Sequence, residues 1–345
     1  VARQLLWASL ALAPATIAVD LAVHPGKVVL FVLSAASLIP LAWLIGESTE
    51  HAAEHTGAGI GGFLNASFGN APELIIALFA VNGNLPQVVR GSLAGSVISN
   101  LLLVFGITQV VGPEEELDRR SLLTQLGLTG AAVALFTVPA VLGYTGSSER
   151  HGVVIASIPI AIVLLVLYLS VTGGNLRRHR LMARAAPAAG AWTLPAAVVA
   201  LAVSTVATAF VSEILVHSLD AFAKAVGASE FFVAAVIVAI VGNAAEHGGA
   251  IVIARAGKMK LASEIAISSS AQVALLVVPV VMLASLFFTH QLPLSFRWEE
   301  LGAMAGAVGL VGVTIWDGHS RRWEGALLVV AYVAVAVGFL FAGNR

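Results

Sequence analysis

Gly69-Asn70-Ala71-Pro72-Glu73 returns as Gly242-Asn243-Ala244-Ala245-Glu246, 173 positions further on. Each copy lies in a long apolar stretch that is otherwise almost free of charge. An acidic side chain in a bilayer-spanning segment is costly, and such groups are kept for ion or proton pathways. Two of them at corresponding places in two halves point to a duplicated carrier with its site where the halves meet.

The composition agrees. With 59% hydrophobic and 11% charged residues and a mean hydropathy of +0.95, the chain is too apolar to cover itself with polar groups in water. The apolar residues spread over the whole length, which excludes a soluble enzyme with a single anchor. Zero cysteines exclude disulfides and thiolate metal sites, and a net charge of −1 gives no nucleic-acid signal. Gln4 to Leu21 follows an arginine like a signal peptide, but it lacks a clear cleavage site and reads as a retained helix.

A spanning helix needs about 20 mostly apolar residues. On that ruler the sequence predicts an all-α polytopic membrane protein with about eleven spans, roughly at 4–22, 28–48, 60–82, 87–111, 121–144, 152–173, 192–222, 229–254, 261–288, 298–316 and 323–342. Placing the N-terminus in the cytoplasm puts 12 lysines and arginines inside and 6 outside, so N-in and C-out is expected. The expected organisation is an extra N-terminal helix (1–27), a five-helix unit (28–173), a basic cytoplasmic linker (174–191) and a second five-helix unit (192–345). Because five is odd, the second unit must be inverted relative to the first. The expected location is a prokaryotic cell membrane. A homo-oligomer is left open.

Asn70 and Glu73 are spaced i, i+3, and Asn243, Glu246 and His247 are spaced i, i+3, i+4, so a helix presents each set on one face. Pro72 cannot donate to the Phe68 carbonyl, and Gly69 and Gly242 loosen the backbone, so bends with free carbonyls are expected there. Irregular backbone at that depth needs protein or water around it, which a midplane ion site supplies. Further polar groups follow each phrase: Ser96, Ser99 and Asn100 after the first, Ser269 and Gln272 after the second. Apart from the imidazole of His247, the donors are all oxygen. Two carboxylates with amide, hydroxyl and carbonyl oxygens suit a hard divalent cation such as Ca²⁺.

The run from Gly46 to Glu54, the run from Gly61 to Ile75, and Val241-Gly242-Asn243-Ala244-Ala245-Glu246-His247 together resemble the two repeats of the Ca²⁺/H⁺ exchangers, within the cation/Ca²⁺ exchanger superfamily. The resemblance is dense over about 43–106 and 239–277. It implies a secondary antiporter working by alternating access, in which Ca²⁺ and H⁺ are cargo and no cofactor is held. Glu73 and Glu246 are then the central metal ligands, supported by Asn70 and Asn243, with helices 2 and 7 as gates. Many relatives carry an acidic segment between the halves, whereas the linker here is basic.

Glu47, Glu50 and Glu54 read as an acidic mouth at one end of helix 2. Glu213, an acid inside an apolar span, reads as a gating or proton-path group, and His247 as a proton acceptor or a tuner of Glu246. Two other readings compete. One is a Na⁺-coupled or Mn²⁺-preferring exchanger. The other, from a different class, is an intramembrane zinc peptidase built on His51, Glu54 and His55, whose spelling fits H-x-x-E-H.

Overall fold

The computed structural model describes residues 2–144, 151–179 and 192–343. The linker expectation falls mainly on 180–191, outside the described residues. The elements are α1 (Gln4–Ala22), α2 (Lys27–Phe68), α3 (Ala71–Asn82), α4 (Pro86–Val111), α5 (Arg119–Tyr144), α6 (His151–His179), α7 (Leu194–Ala225), α8 (Glu230–Gly242), α9 (Ala244–Arg255), α10 (Met259–Ser285), α11 (Trp298–Thr314) and α12 (Arg322–Ala342). Among the described residues, eight helices are long and apolar enough to cross a membrane, or nine if α8 and α9 form one bent span. The difference from eleven lies in two short elements, α11 with 17 residues and α3 with 12.

One boundary differs from the sequence reading. A break was expected over 49–59, between spans 28–48 and 60–82, yet α2 runs unbroken for 42 residues. Those residues are polar, but they hold alanine, glutamate and histidine with no proline, so loss of hydropathy there is not loss of helix. At 1.5 Å per residue α2 is about 63 Å long, about twice the hydrocarbon thickness. The break falls instead at Gly69-Asn70, inside the repeated phrase.

The second phrase breaks in the same way. α8 and α9 meet at Asn243 with a bend of 58°. Asn70 (φ −97°, ψ 15°) and Asn243 (φ −91°, ψ 9°) share one backbone conformation. Pro72 falls in the first turn of α3, where a missing N–H costs nothing. Local signals fix other starts: Thr193 accepts from Ala196 N at 3.4 Å ahead of α7, and Ser229 from Phe232 N at 3.0 Å ahead of α8.

Burial sorts the helices. In their spanning windows α4 is 78% and α10 72% buried, against 28% for α7 and 22% for α12. The peripheral helices turn apolar side chains outward, such as Val203 (61% exposed) and Val333 (53%), as lipid-facing helices do. Polarity therefore marks the interior: Ser96, Ser99, Asn100, Ser269 and Ser270 of α4 and α10 are all buried. α4 and α8 approach so closely that a Cβ on Gly95 would stand 2.0 Å from the Ala235 carbonyl oxygen, so only glycine fits. Both helices carry a π-helical turn near this contact, Ser99–Val104 and Val233–Val238, and α10 carries one at Val273–Val277.

The connections gather at two ends. At one, Leu117 N donates to Gly318 O at 2.7 Å and Ser320 N to Glu115 O at 3.0 Å. Two acids of the run Glu114-Glu115-Glu116 hold helix starts here. Glu115 accepts from Met259 N at the start of α10, and Glu114 from Arg322 N at the start of α12, each at 3.1 Å. Carboxylates there satisfy orphan N–H groups and the positive end of the helix dipole. At the other end Gln87 bonds Glu230 at 2.8 Å and Arg90 reaches the Ser295 carbonyl at 3.4 Å.

Candidate functional site

The two breaks bring the repeated phrases together in the interior. Asn70, Glu73, Asn243 and His247 are buried, and Glu246 and Gln272 half-buried. Both acids occupy the first turn of the helix that follows the break, Glu73 in α3 and Glu246 in α9. A helix N-terminus favours negative charge, so the backbone itself supports the carboxylates. Among the described residues neither acid has a lysine or arginine ion-pair partner.

The hydrogen bonds cross between the halves. Asn70 Nδ2 donates to Gln272 Oε1 at 2.9 Å, from the α2–α3 break to α10. Asn243 Nδ2 donates to Ser96 Oγ on α4 at 2.8 Å and to the Ala239 carbonyl at 2.8 Å. Asn100 of α4 stands between two partners. Its Nδ2 points at Asn243 Oδ1, 3.5 Å away, and its Oδ1 at His247 Nε2, 3.1 Å away. Ser269 donates to Glu246 in a short hydrogen bond. Gly242 backs directly onto Glu73: a Cβ there would be 3.6 Å from Oε1 of that carboxylate.

Glu73 borders a cavity of about 10 Å³ lined by Ser92, Ser96, Ala239 and Gly242, roughly the room one water needs. Its Oε2 is buried without a hydrogen-bond partner among the described residues. A buried carboxylate oxygen left in that state is available to a cation or a proton. Ser92 was missed in the sequence because it lies outside the repeated phrase. Its spacing of four from Ser96 was the signal, since that puts both hydroxyls on one helical face.

The remaining expected residues fall in various places. Ser99 turns its hydroxyl to the Ser96 carbonyl at 3.2 Å. Among the described residues His247 makes no hydrogen bond or ion pair with Glu246; its partner is Asn100. Glu50 is exposed, and Glu47 and Glu54 flank His51. Glu213 is exposed on α7 in a groove of about 500 Å³ shared with Asp20, Lys27 and His217. The zinc triplet does not form: His51 packs on Trp192, and His55 Nε2 bonds the Trp192 carbonyl at 2.6 Å. No three His, Cys, Asp or Glu side chains among the described residues converge as a metal site.

Comparison with known proteins places the chain. Residues 26–175 and 196–341 match the sodium/calcium exchanger protein family. The chain is 39% identical over 330 residues to the Ca²⁺/H⁺ antiporter ChaA of Bacillus subtilis (strain 168), covering 92% of this chain and 93% of that one. Its fold matches the native YfkE structure with a TM-score of 0.84 at 36% identity, over 97% of this chain and 99% of the other. The H⁺/Ca²⁺ exchanger CAX shares the fold with a TM-score of 0.73 at 17% identity, over 99% and 92%. The chain therefore belongs to the sodium/calcium exchanger protein family, and is an integral membrane transporter rather than an enzyme.

Proposed function

We infer that the protein is a secondary antiporter that exports cytosolic Ca²⁺ in exchange for H⁺ by alternating access, with Glu73 and Glu246 as the sites for which the two ions compete. One observation carries this reading. Two acids from corresponding helix starts, Glu73 buried and Glu246 half-buried, stand in a hydrogen-bond network that crosses the halves, and Glu73 keeps an unpartnered oxygen beside a water-sized cavity. The Ca²⁺/H⁺ antiporter function of the Bacillus relative supports the choice of ions. Asn70, Asn243, Ser96, Ser269 and Gln272 add neutral oxygens to the two charges, the donor set that a hard divalent cation prefers. A carboxylate must lose its proton before it ligates a metal, so competition at one site is enough to exchange the two ions. Each ion can drive the switch only by binding the two states unequally.

The same reading takes α11 as a span and α3, with the end of α2, as another. The bent pair and eight long helices then make eleven, arranged as one extra helix (1–27), two inverted units (28–173 and 192–345) and a cytoplasmic linker (174–191). The N-terminus lies inside and the C-terminus outside. The equivalent bends at Asn70 and Asn243 support the repeat. The test is ⁴⁵Ca²⁺ uptake into proteoliposomes under an imposed pH gradient, with and without Na⁺. Uptake that follows the pH gradient and ignores Na⁺ is expected; uptake that requires Na⁺ overturns the proton coupling.

A further inference from the structure

His51 of α2 stands between two carboxylates of its own helix. Its Nε2 is 3.6 Å from Glu47 Oε1 and its Nδ1 is 3.6 Å from Glu54 Oε2. Both gaps exceed a hydrogen bond. His51 Nδ1 and Glu54 Oε2 are moreover buried without a hydrogen-bond partner among the described residues. A neutral imidazole has one N–H and can satisfy only one neighbour, whereas an imidazolium has a donor on each nitrogen and a carboxylate oxygen 3.6 Å from each. The side chain is 14% exposed, so it is largely buried yet within reach of solvent protons.

The other face of the ring carries the link to the rest of the protein. It stacks on Trp192, with ring centroids 4.8 Å apart and planes inclined by 27°. Trp192 lies immediately ahead of α7, and its carbonyl is held by His55 at 2.6 Å. Its indole also meets Trp7 of α1 at 5.9 Å, and Trp7 packs edge-on against Trp43 of α2 at 5.3 Å. At the opposite ends of α2 and α7, Phe31 stacks on Phe222 at 4.2 Å without any titratable partner in the pair. The contact at Trp192 is thus the one that a proton can strengthen, by turning a ring stack into a cation–π contact.

We propose that His51 is a proton-binding site separate from the Glu73/Glu246 centre, and that the proton it binds fastens α2 to the start of α7. Glu47 and Glu54 are the charged groups that face it. Glu50 on the same helix is exposed. The elements packed on α2 carry Asp20 on α1, Glu73 on α3, His151 on α6, Glu213, His217, Asp220 and Lys224 on α7, Glu230 on α8, and Glu246, His247 and Arg255 on α9. Among the described residues none of these forms an ion pair or hydrogen bond with His51. The two helices joined here are those the exchange reading treats as gates, so the proposal rests on that reading for its purpose. Its test measures no transport, and the two can fail separately.

The full chain has no native cysteine, so spin labels can be placed at Ala53→Cys on α2 and Ala196→Cys on α7. The distance distribution between them is measured by pulsed electron resonance in lipid nanodiscs at pH 8 and pH 5.5. A cation–π contact of ordinary strength shifts an equilibrium about two- to fivefold, so the short-distance population should grow by that factor on acidification. His51→Gln, which keeps a polar side chain of similar reach, should abolish the growth and leave the pH 8 distribution unchanged, and Trp192→Leu should abolish it too. A distribution insensitive to pH in the labelled parent overturns the proposal. So does an undiminished shift in His51→Gln, which would assign the response to another titrating group.

Discussion

Asn70 donates its amide hydrogen to Gln272 Oε1 2.9 Å away, joining the break before α3 to the buried helix α10, 202 residues distant in sequence. The comparable bond from Asn243 goes to Ser96 of α4. Each break is therefore fastened by a side chain from the other half, and neither half can complete its polar cluster alone. The bonds orient the asparagines.

Glu73→Gln and Glu246→Gln should each abolish Ca²⁺/H⁺ exchange while the protein still folds. Glutamine keeps the volume and removes the charge. ⁴⁵Ca²⁺ flux in proteoliposomes, with size-exclusion chromatography to check folding, decides the matter. Flux above about a tenth of the parent, a loss of under about 1.4 kcal/mol, removes the variant residue from the central role.

Ca²⁺ affinity should fall as pH falls, because both carboxylates must be unprotonated to hold the metal. Equilibrium binding between about pH 8 and pH 5.5 reads this directly. In both Gln variants the slope against pH should be shallower, since one competing proton is gone. A flat profile in the unaltered chain would send the protons along another route, with Glu213 and Glu50 next to be tested.

His247→Ala should shift the pH profile or the preference among divalent cations and leave measurable transport, because His247 reaches the site through Asn100. A double-mutant cycle with Asn100→Ala tests that path. Residues acting through one another are non-additive, by roughly 0.5–3 kcal/mol. Additive effects on Ca²⁺ affinity would mean that His247 acts on the site by some route other than Asn100.

Gly95→Ala should destabilise the protein by about 1–3 kcal/mol or more, since its Cβ meets the Ala235 backbone, which cannot rotate away. Gly127→Ala, whose Cβ meets nothing within 4 Å, is the control and should be neutral or stabilising. Thermal midpoints in the same detergent compare the two. Equal midpoints would show that α4 and α8 are not tightly apposed in the membrane.

His290→Cys should be labelled by an impermeant thiol reagent only from outside, and Lys258→Cys only from the cytoplasm. Both positions are exposed, and they lie in connections at opposite ends of the helices. Labelling of both from one side would break the eleven-span arrangement.

Much of the site was legible because charge inside an apolar stretch has few explanations. The repeated phrase located both acids, and its glycines and Pro72 located both breaks. The full length of α2 was hidden, because hydropathy reports what a segment can dissolve in and not whether it is helical. The second partners of Asn70 and Asn243 were hidden for another reason: Gln272 and Ser96 become neighbours only through tertiary packing. His51 entered only through a competing zinc motif, and its stack on Trp192 was hidden because spelling does not reveal which way a ring faces.

Glu73 and Glu246 sit at helix starts with no basic side chain paired to either among the described residues. A carrier built with a lysine counter-ion can swing back empty, its charge already balanced. Here an unloaded centre would carry two bare negative charges through the low-dielectric interior, where solvation loss is severe. Return without cargo is thus the most disfavoured step of the proposed cycle.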